Sequence, residues 1–320
     1  MTKLVKFRVH TPLGPFDRLG VVIDEKFVDL TLAYTAYLTD VAKEAVPYRV
    51  ASALVPTDLL EFIEAGQPSI DAVRETIEYV TDKLYEGVRG PKGEKIVYDP
   101  QEVKLLPPLP SLKSRMFAIG RNFKKHVPPE MWPQRPSGFL KNTYSCIAHG
   151  DDIISPTLIA GTLNIEVELV AYIGKKGKNI PKGKAMDYII GYTVGNDVTA
   201  REQQRLDVED RRMIYFGKNA DTFAPLGPYL VLKDEIPDPY ALQMRATVNG
   251  KLYQEDVMSD IIFPYDEVIA YFSRDYTLYP GDLIWSGSVA YVDQTLDPLQ
   301  PGDVVEVEVG KVGILRNQII

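Results

Sequence analysis

The segment Leu163-Asn164-Ile165-Glu166-Val167-Glu168-Leu169-Val170 sets two glutamates at i and i+2 within a strand-forming run. Side chains alternate across a strand, so both carboxylates point one way while Ile165, Val167 and Leu169 point the other. A solvent-facing strand edge is the ordinary explanation for such a pair taken alone. A second element changes the balance. Tyr188 to Val194 is an apolar run that ends abruptly in Gly195-Asn196-Asp197, which puts Asp197 where a strand opens into a loop, a common position for a functional side chain. Three carboxylates that converge repel one another unless a cation neutralises them. Hard oxygen ligands select Mg²⁺, with Mn²⁺ or Ca²⁺ able to substitute, over zinc, and an octahedral ion would keep three positions open. A third element, Tyr215 to Pro228, is punctuated by Gly and Pro and demands a shaped loop. Lys218 and Asp221 within it would be odd in a merely apolar wall.

The elements that must position these groups can be read from periodicity. Residues 4–9 and 20–29 alternate as short strands around the turn-rich Thr11 to Pro15. Asp58 can cap a helix beginning at Leu59, and Gly66 through Pro68 breaks it. Ser69 then opens a second helix with Ile70, Val73, Ile77, Val80 and Leu84 on one face, a spacing that core packing explains fully. Gly87 to Pro110 changes texture and ends in Leu105-Leu106-Pro107-Pro108-Leu109-Pro110, which suits a linker or an edge segment. The expected division is an accessory domain over 1–90, a linker over 91–112 and a main domain over 113–320. In the latter, strand-type runs over 163–174, 188–196, 227–232, 243–253, 283–286 and 303–309 dominate, Asn249-Gly250 signals a hairpin, and Tyr265 to Ser273 reads as a helix. Few βαβ alternations appear, so a parallel doubly wound sheet is disfavoured. The expected fold class is α+β and mostly β.

Composition bounds the rest. The chain has 320 residues, a formal net charge of -8, 45% hydrophobic and 25% charged residues. These are ordinary globular values for about two domains, or for one large domain with an appendage. An acidic chain without a basic stripe repels phosphate backbones, which excludes nucleic acid as a partner, and Lys175-Lys176-Gly177-Lys178 reads as a solvated turn. Cys146 is the single cysteine, so neither an intrachain disulfide nor a cysteine zinc cage can form. With no apolar leader and no continuous apolar stretch near 18 residues, no membrane partner is expected and the expected location is cytoplasmic.

Taken together, these segments resemble the fumarylacetoacetate hydrolase family. The resemblance is carried by the Glu-x-Glu strand, then Gly191-Tyr192-Thr193-Val194-Gly195-Asn196-Asp197-Val198-Thr199-Ala200-Arg201. Gly217-Lys218, Asp221-Thr222-Phe223-Ala224-Pro225-Leu226-Gly227-Pro228, and Pro280-Gly281-Asp282-Leu283-Ile284 before Ser286-Gly287-Ser288 then follow in the family's order. It spans about 113–320, and residues 1–90 look like the smaller N-terminal α/β domain that many members carry. The resemblance implies a mixed β-sandwich roll, usually a homodimer, in which Glu166, Glu168 and Asp197 hold the metal. It implies that Arg201 and Gln204 reach substrate oxygens, and that Lys218 lies beside the oxygen that gains negative charge. Phe117 to His126 resembles the family's Gly-x-Asn-Tyr-x-x-His, which makes His126 the general base. Members commonly carry a glutamate three residues later to orient it. Here Pro129 stands at that position and Glu130 one further on, so Pro128-Pro129 works against the short helix that would align the pair. Lys141, in Phe139-Leu140-Lys141, matches a site-lining Phe-x-Lys, or is simply a strand-end lysine. His10 and His149 lack a comparable setting.

The activity this implies is Mg²⁺-dependent hydrolysis of a C–C bond in a 2,4-dioxo acid of the acylpyruvate or fumarylpyruvate type, releasing pyruvate or a similar 2-oxo acid. His126 would activate water, and Lys218 and Ser288 would stabilise the oxyanion. The same site chemistry also serves decarboxylation or isomerisation of a 2-oxo-enoic diacid from aromatic catabolism, or dehydration of a 2-keto-3-deoxy sugar acid. Those alternatives gain weight if the acid–base pair is badly placed. A metal-dependent binding protein without turnover is the alternative of another class. Segment 124–138, rich in Pro, is expected to form a lid, and Trp132, Trp285 and Tyr291 either line a side pocket or pack in the core.

Overall fold

A computed structural model describes residues 1–156, 163–211, 216–293 and 299–320. The chain opens with strands β1 (Lys3–Thr11), β2 (Gly14–Ile23) and β3 (Lys26–Asp29), followed by helices α1 (Leu30–Asp40), α2 (Pro47–Leu54), α3 (Leu59–Ala65) and α4 (Gln67–Thr81). Asp58 caps α3 by accepting from the Glu61 N–H at 3.0 Å. Helix α4 begins two residues before Ser69, because Pro68 is tolerated in a first turn whose N–H groups need no intrahelical partner. Its buried face is Ser69, Ala72, Val73, Thr76, Tyr79 and Val80, so Ile70 and Ile77 sit at the flank, and Leu84 lies beyond the helix end.

Short strands β4 (Val97–Tyr98) and β5 (Lys104–Leu106) are followed by β6 (Met116–Ile119), β7 (Gly138–Lys141), β8 (Cys146–Ile147), β9 (Asp152–Ile153) and β10 (Leu163–Asn164). Then come β11 (Val167–Ile173), helix α5 (Lys182–Ala185), β12 (Ile189–Asn196), β13 (Thr199–Ala200), helix α6 (Arg201–Glu209) and β14 (Ala224–Leu232). Strands β15 (Gln243–Val248) and β16 (Lys251–Val257), helix α7 (Tyr265–Phe272), β17 (Leu283–Trp285), β18 (Val304–Val309) and β19 (Gly313–Ile319) complete it. One large sheet runs β4-β3-β2-β1-β14-β12-β11-β17-β6-β7, with β5 on β1 and β8 on β14, and a smaller one runs β16-β15-β18-β19-β9.

The large sheet is continuous from the N-terminal strands into the main body, since β1 pairs with β14 in the register Lys3↔Val231. Segment 91–112 belongs to it as well, through β4 on β3 and β5 on β1. Strand β11 shows how the layers form. Leu169, Ala171 and Ile173 pack with Met244, Ala246, Val305 and Val307 of the smaller sheet, while Val170 and Tyr172 pack on the other face with Phe62, Val73 and Val80 of the N-terminal helices. A strand buried on both faces reads as a continuous apolar run and carries a polar side chain only where a cavity opens. Among the described residues no helix is long and apolar enough to cross a membrane.

Candidate metal centre and active site

Glu166 lies just before β11 and Glu168 within it, and the intervening Val167 and the flanking Ile165 and Leu169 are fully buried on the opposite side. Asp197 directly follows β12, and its N–H donates to the Glu166 carbonyl at 2.9 Å, which locks the end of one strand to the start of its neighbour. Carboxylate oxygens of Glu166, Glu168 and Asp197 consequently lie within 4.8 Å of one another, and all three side chains are buried.

The cations of the chain are unequally shared among them. Lys218 Nζ donates to Glu166 Oε2 at 2.9 Å and to Asp197 Oδ2 at 2.6 Å. Lys141 Nζ, wholly buried, donates to the other Asp197 oxygen and to the Lys218 carbonyl at 2.8 Å. Arg201 donates to Glu166 Oε1 at 3.1 Å, to the Tyr291 hydroxyl at 2.7 Å and to Gln204 Oε1 at 2.6 Å. Burial alone would push the Glu166 carboxyl up, but Lys218, Arg201 and His126 more than offset it and bring it down to about 2. Of these cations only Lys218 acts on Glu168, and more weakly than the burial and like charges that oppose it. Its Oε2 accepts the Gly287 N–H at 2.8 Å, and burial, then Asp197, then Glu166 hold its carboxyl well above the ordinary carboxylate range. Among the described residues it forms no ion pair. A cage of three hard oxygens, one of them on a carboxyl outside any ion pair, could hold a metal ion between Glu166, Glu168 and Asp197.

Local backbone features bring these groups in. Gly217 presses against the start of α6: a Cβ there would stand 2.9 Å from Gln204 N and 3.2 Å from Ala200 O, so only glycine lets the loop carry Lys218 inward. Gly287, at φ +86, aims its N–H at Glu168, and a Cβ would stand 2.7 Å from Ile119 O. Asp221, by contrast, is exposed and takes no part.

A cavity of about 820 Å³ opens over the carboxylates, and His126, Arg201, Gln204, Lys218 and Ser288 line it. His126 ends a one-turn 3₁₀ helix (Lys124–His126), and its Nδ1 lies 3.3 Å from the Val289 carbonyl oxygen. The expected His126–Glu130 pair is not formed. Val127 and Pro128 are extended, Pro129 starts a separate turn (Pro129–Met131), and Glu130 is exposed with no hydrogen bond to the imidazole. Val127, Pro128, Met131 and Gly138 of the segment expected to form a lid line the cavity. Ser288 Oγ accepts from Gln254 Nε2 at 2.9 Å.

Of the three aromatic candidates, Tyr291 reaches the site, with its hydroxyl 3.3 Å from Glu166 Oε1. Trp285 is fully buried in the core shared with the N-terminal helices, and Trp132 folds back on its own turn, donating to the Val127 carbonyl at 3.1 Å. His149 accepts the Arg316 N–H at 3.2 Å, a structural role. Gln254, to which the sequence reading gave no role, is fully buried and donates to the Val289 carbonyl at 2.6 Å while accepting the Val167 N–H at 2.9 Å. A glutamine one residue past an expected strand end carries no signal by itself.

Residues 115–320 match the family model described as fumarylacetoacetate (FAA) hydrolase C-terminal. The chain is 34% identical to the oxaloacetate tautomerase YisK of Bacillus subtilis over 312 residues, 94% of this chain and 95% of that protein. Among solved structures it is similar to 5-carboxymethyl-2-hydroxymuconate delta-isomerase from Mycobacterium smegmatis, at 32% identity and TM-score 0.60, over 70% of this chain and 84% of the other. It also shares its fold with a fumarylacetoacetate hydrolase from Exiguobacterium antarcticum, at 24% identity and TM-score 0.73, over 100% and 99% of the two chains.

Proposed function

Because this chain belongs to the fumarylacetoacetate hydrolase family, an enzyme family of hydrolases, isomerases and tautomerases, we propose that it is a divalent-metal-dependent tautomerase of a 2-oxo diacid of the oxaloacetate type. The observation that carries this reading is a cavity-lining histidine that, among the described residues, is hydrogen-bonded to no carboxylate, beside a carboxylate cage. Attack of water on a remote carbonyl calls for a strongly oriented acid–base pair. Moving one proton between the carbon next to a carbonyl and the solvent asks less: a single base and a stabilised oxygen.

The ion, when bound, supplies Lewis-acid stabilisation of the negative charge that grows on the 2-oxo oxygen. The chain's own residues do the remainder. Arg201, with Gln204 beside it, offers guanidinium N–H groups to the 1-carboxylate, whose geometry matches a planar fork. His126 takes the C3 proton at Nε2, the C3–H electron pair becomes the C2–C3 double bond, and the carbonyl π pair moves onto oxygen. Lys218 donates a hydrogen bond to that oxygen, a proton from solvent water there completes the enol, and His126 returns the proton it took to solvent; the reverse path regenerates the ketone. The relative in Bacillus subtilis carries the name of this reaction, and the neighbour from Mycobacterium smegmatis that of another isomerisation.

The deciding experiment follows the enol absorbance of oxaloacetate with and without protein, in Mg²⁺ and in EDTA. A Mg²⁺-dependent rate well above the buffer and metal control is the expected result. Acetylpyruvate is assayed in parallel. Pyruvate release from it, with oxaloacetate equilibrating no faster than the control, would replace tautomerisation by the C–C hydrolysis expected from the sequence.

A further inference from the structure

We propose that Gln254 is the positioning residue that fixes His126 as a proton acceptor at Nε2 and sets its distance from the carboxylate cage. The inference rests on the reading that His126 moves the substrate proton.

Gln254 sits on β16 in the smaller sheet, fully buried, and its carboxamide spans the gap to the larger one. Its Oε1 accepts from the N–H of Val167, the residue between Glu166 and Glu168, at 2.9 Å. Its Nε2 donates to Ser288 Oγ at 2.9 Å and to the Val289 carbonyl at 2.6 Å. The orientation of the amide is not free. Val167 N–H can only donate and Val289 O can only accept, so a flipped amide would set donor against donor and acceptor against acceptor.

The Val289 carbonyl is the atom that faces His126 Nδ1, 3.3 Å away. A carbonyl has no proton to give. Nδ1 must therefore carry the hydrogen, which leaves the Nε2 lone pair as the basic site. The second lone pair of the same oxygen accepts from Gln254, so the amide holds the peptide that holds the ring. A partner of this kind fixes the ring and its tautomer, but without a carboxylate's charge it does not strengthen the base.

The same strand grips the histidine turn a second time. Asp256, two residues on and therefore on the same face of β16, accepts from Lys125 Nζ at 2.7 Å, and Asp260 accepts the Lys125 N–H at 3.0 Å. Strand β16 thus fixes the residue before His126 and the carbonyl against its ring, while Gln254 ties that strand to the backbone of the metal-binding carboxylates. This explains how His126 is held although Glu130 faces solvent.

The test uses full-length, Mg²⁺-loaded protein with ¹⁵N-labelled histidine, and H126A assigns the His126 signals among the three histidines. The wild type should give the Nδ1–H tautomer; an Nε2–H tautomer in the wild type would overturn the proposal without any variant. Q254E keeps an oxygen for Val167 N–H but loses both donors, and Q254M loses both functions at similar length. Loss of the single tautomer in Q254E, with kcat down roughly 10- to 100-fold and Mg²⁺ affinity changed less than about threefold, is expected. Q254M should lose Mg²⁺ affinity as well. An unchanged tautomer and kcat in either folded variant, or kcat and Mg²⁺ affinity falling together in Q254E, would reduce Gln254 to ordinary core support. If instead the wild type fails to enolise oxaloacetate, or H126A enolises it normally, the functional reading fails, while the tautomer result still decides what Gln254 does.

Discussion

Lys218 Nζ lies 2.6 Å from a carboxylate oxygen of Asp197, with both side chains only 3% exposed. An ammonium so deeply buried does two things at once. It donates to two of the three carboxylates of the cage, and it presents a hydrogen-bond donor to whatever oxygen docks there. Asp197 and Glu166 in turn outweigh the desolvation of Lys218, so the ammonium is held charged, above its ordinary range.

Replacing Lys218 by methionine separates these roles. In EDTA, K218M leaves buried carboxylates short of a counter-charge, and the melting temperature should fall by an amount equivalent to about 3–5 kcal/mol. Added Mg²⁺ supplies the missing charge, so it should raise the melting temperature of K218M more than that of the wild type, while kcat stays down by about 100-fold or more. Thermal melts with and without Mg²⁺ check the first claim. A variant within threefold of wild-type kcat would remove Lys218 from the chemistry.

Glu168 should behave in the opposite sense. It is the carboxyl that meets like charges and forms no ion pair among the described residues. A neutral E168Q therefore relieves repulsion in the metal-free protein, and in EDTA it should melt no lower than the wild type. The same change removes a hard anionic ligand, so the stabilisation that Mg²⁺ gives the wild type should shrink or vanish, and activity with it. If E168Q retained full Mg²⁺-dependent stabilisation, the three-carboxylate cage would not be the binding site.

Glu130 and His126 make a sharp contrast between sequence proximity and spatial role. Because Glu130 is exposed and turned away behind Pro128-Pro129, E130Q should leave kcat within about twofold of wild type, as surface changes usually do. H126A should cost about 100- to 10,000-fold, the usual worth of a general base. Steady-state kinetics on the two variants decide it, and a large loss in E130Q would revive the pair.

How far the site was legible follows from how each residue reaches it. Glu166, Glu168 and Asp197 could be read because strand alternation and an abrupt strand end are local signals, and the apolar Ile165, Val167 and Leu169 fix which face is core. Gln254 and Tyr291 meet Val167 and Glu166 across 87 and 125 residues of chain, and no local pattern encodes such a contact. The small N-terminal unit was expected from a change of texture and from the family resemblance; the pairing of β1 with β14, which joins its strands to the large sheet, depends on edges the sequence does not label. For Trp285 the sequence allowed either pocket lining or core packing; on a strand buried on both faces its side chain goes to the helix side, which is the packing role.

The N-terminal half holds its own ionisable oddity, and it gives a prediction independent of the active site. Asp29 caps α1 by accepting the Leu32 N–H at 3.0 Å, but its other oxygen is buried without a hydrogen bond, 3.4 Å from Arg18 Nε. Burial pushes the carboxyl up to about 6 from 3.8, and Arg18 with the Leu32 and Thr31 N–H groups offsets this only in part. Between those two values the folded chain binds the proton that the unfolded chain has released. Asp29 therefore penalises folding increasingly as pH rises through that window, and fully above about 6. Asparagine retains the capping oxygen and cannot ionise. Relative to wild type, D29N should gain on the order of 2 kcal/mol of stability between pH 4 and pH 7; a clash of its amide with Arg18 would lower its stability equally at both. Denaturant melts of both proteins at the two pH values measure the gain directly. A stability difference that does not change with pH would mean that Asp29 titrates alike in the folded and unfolded chain.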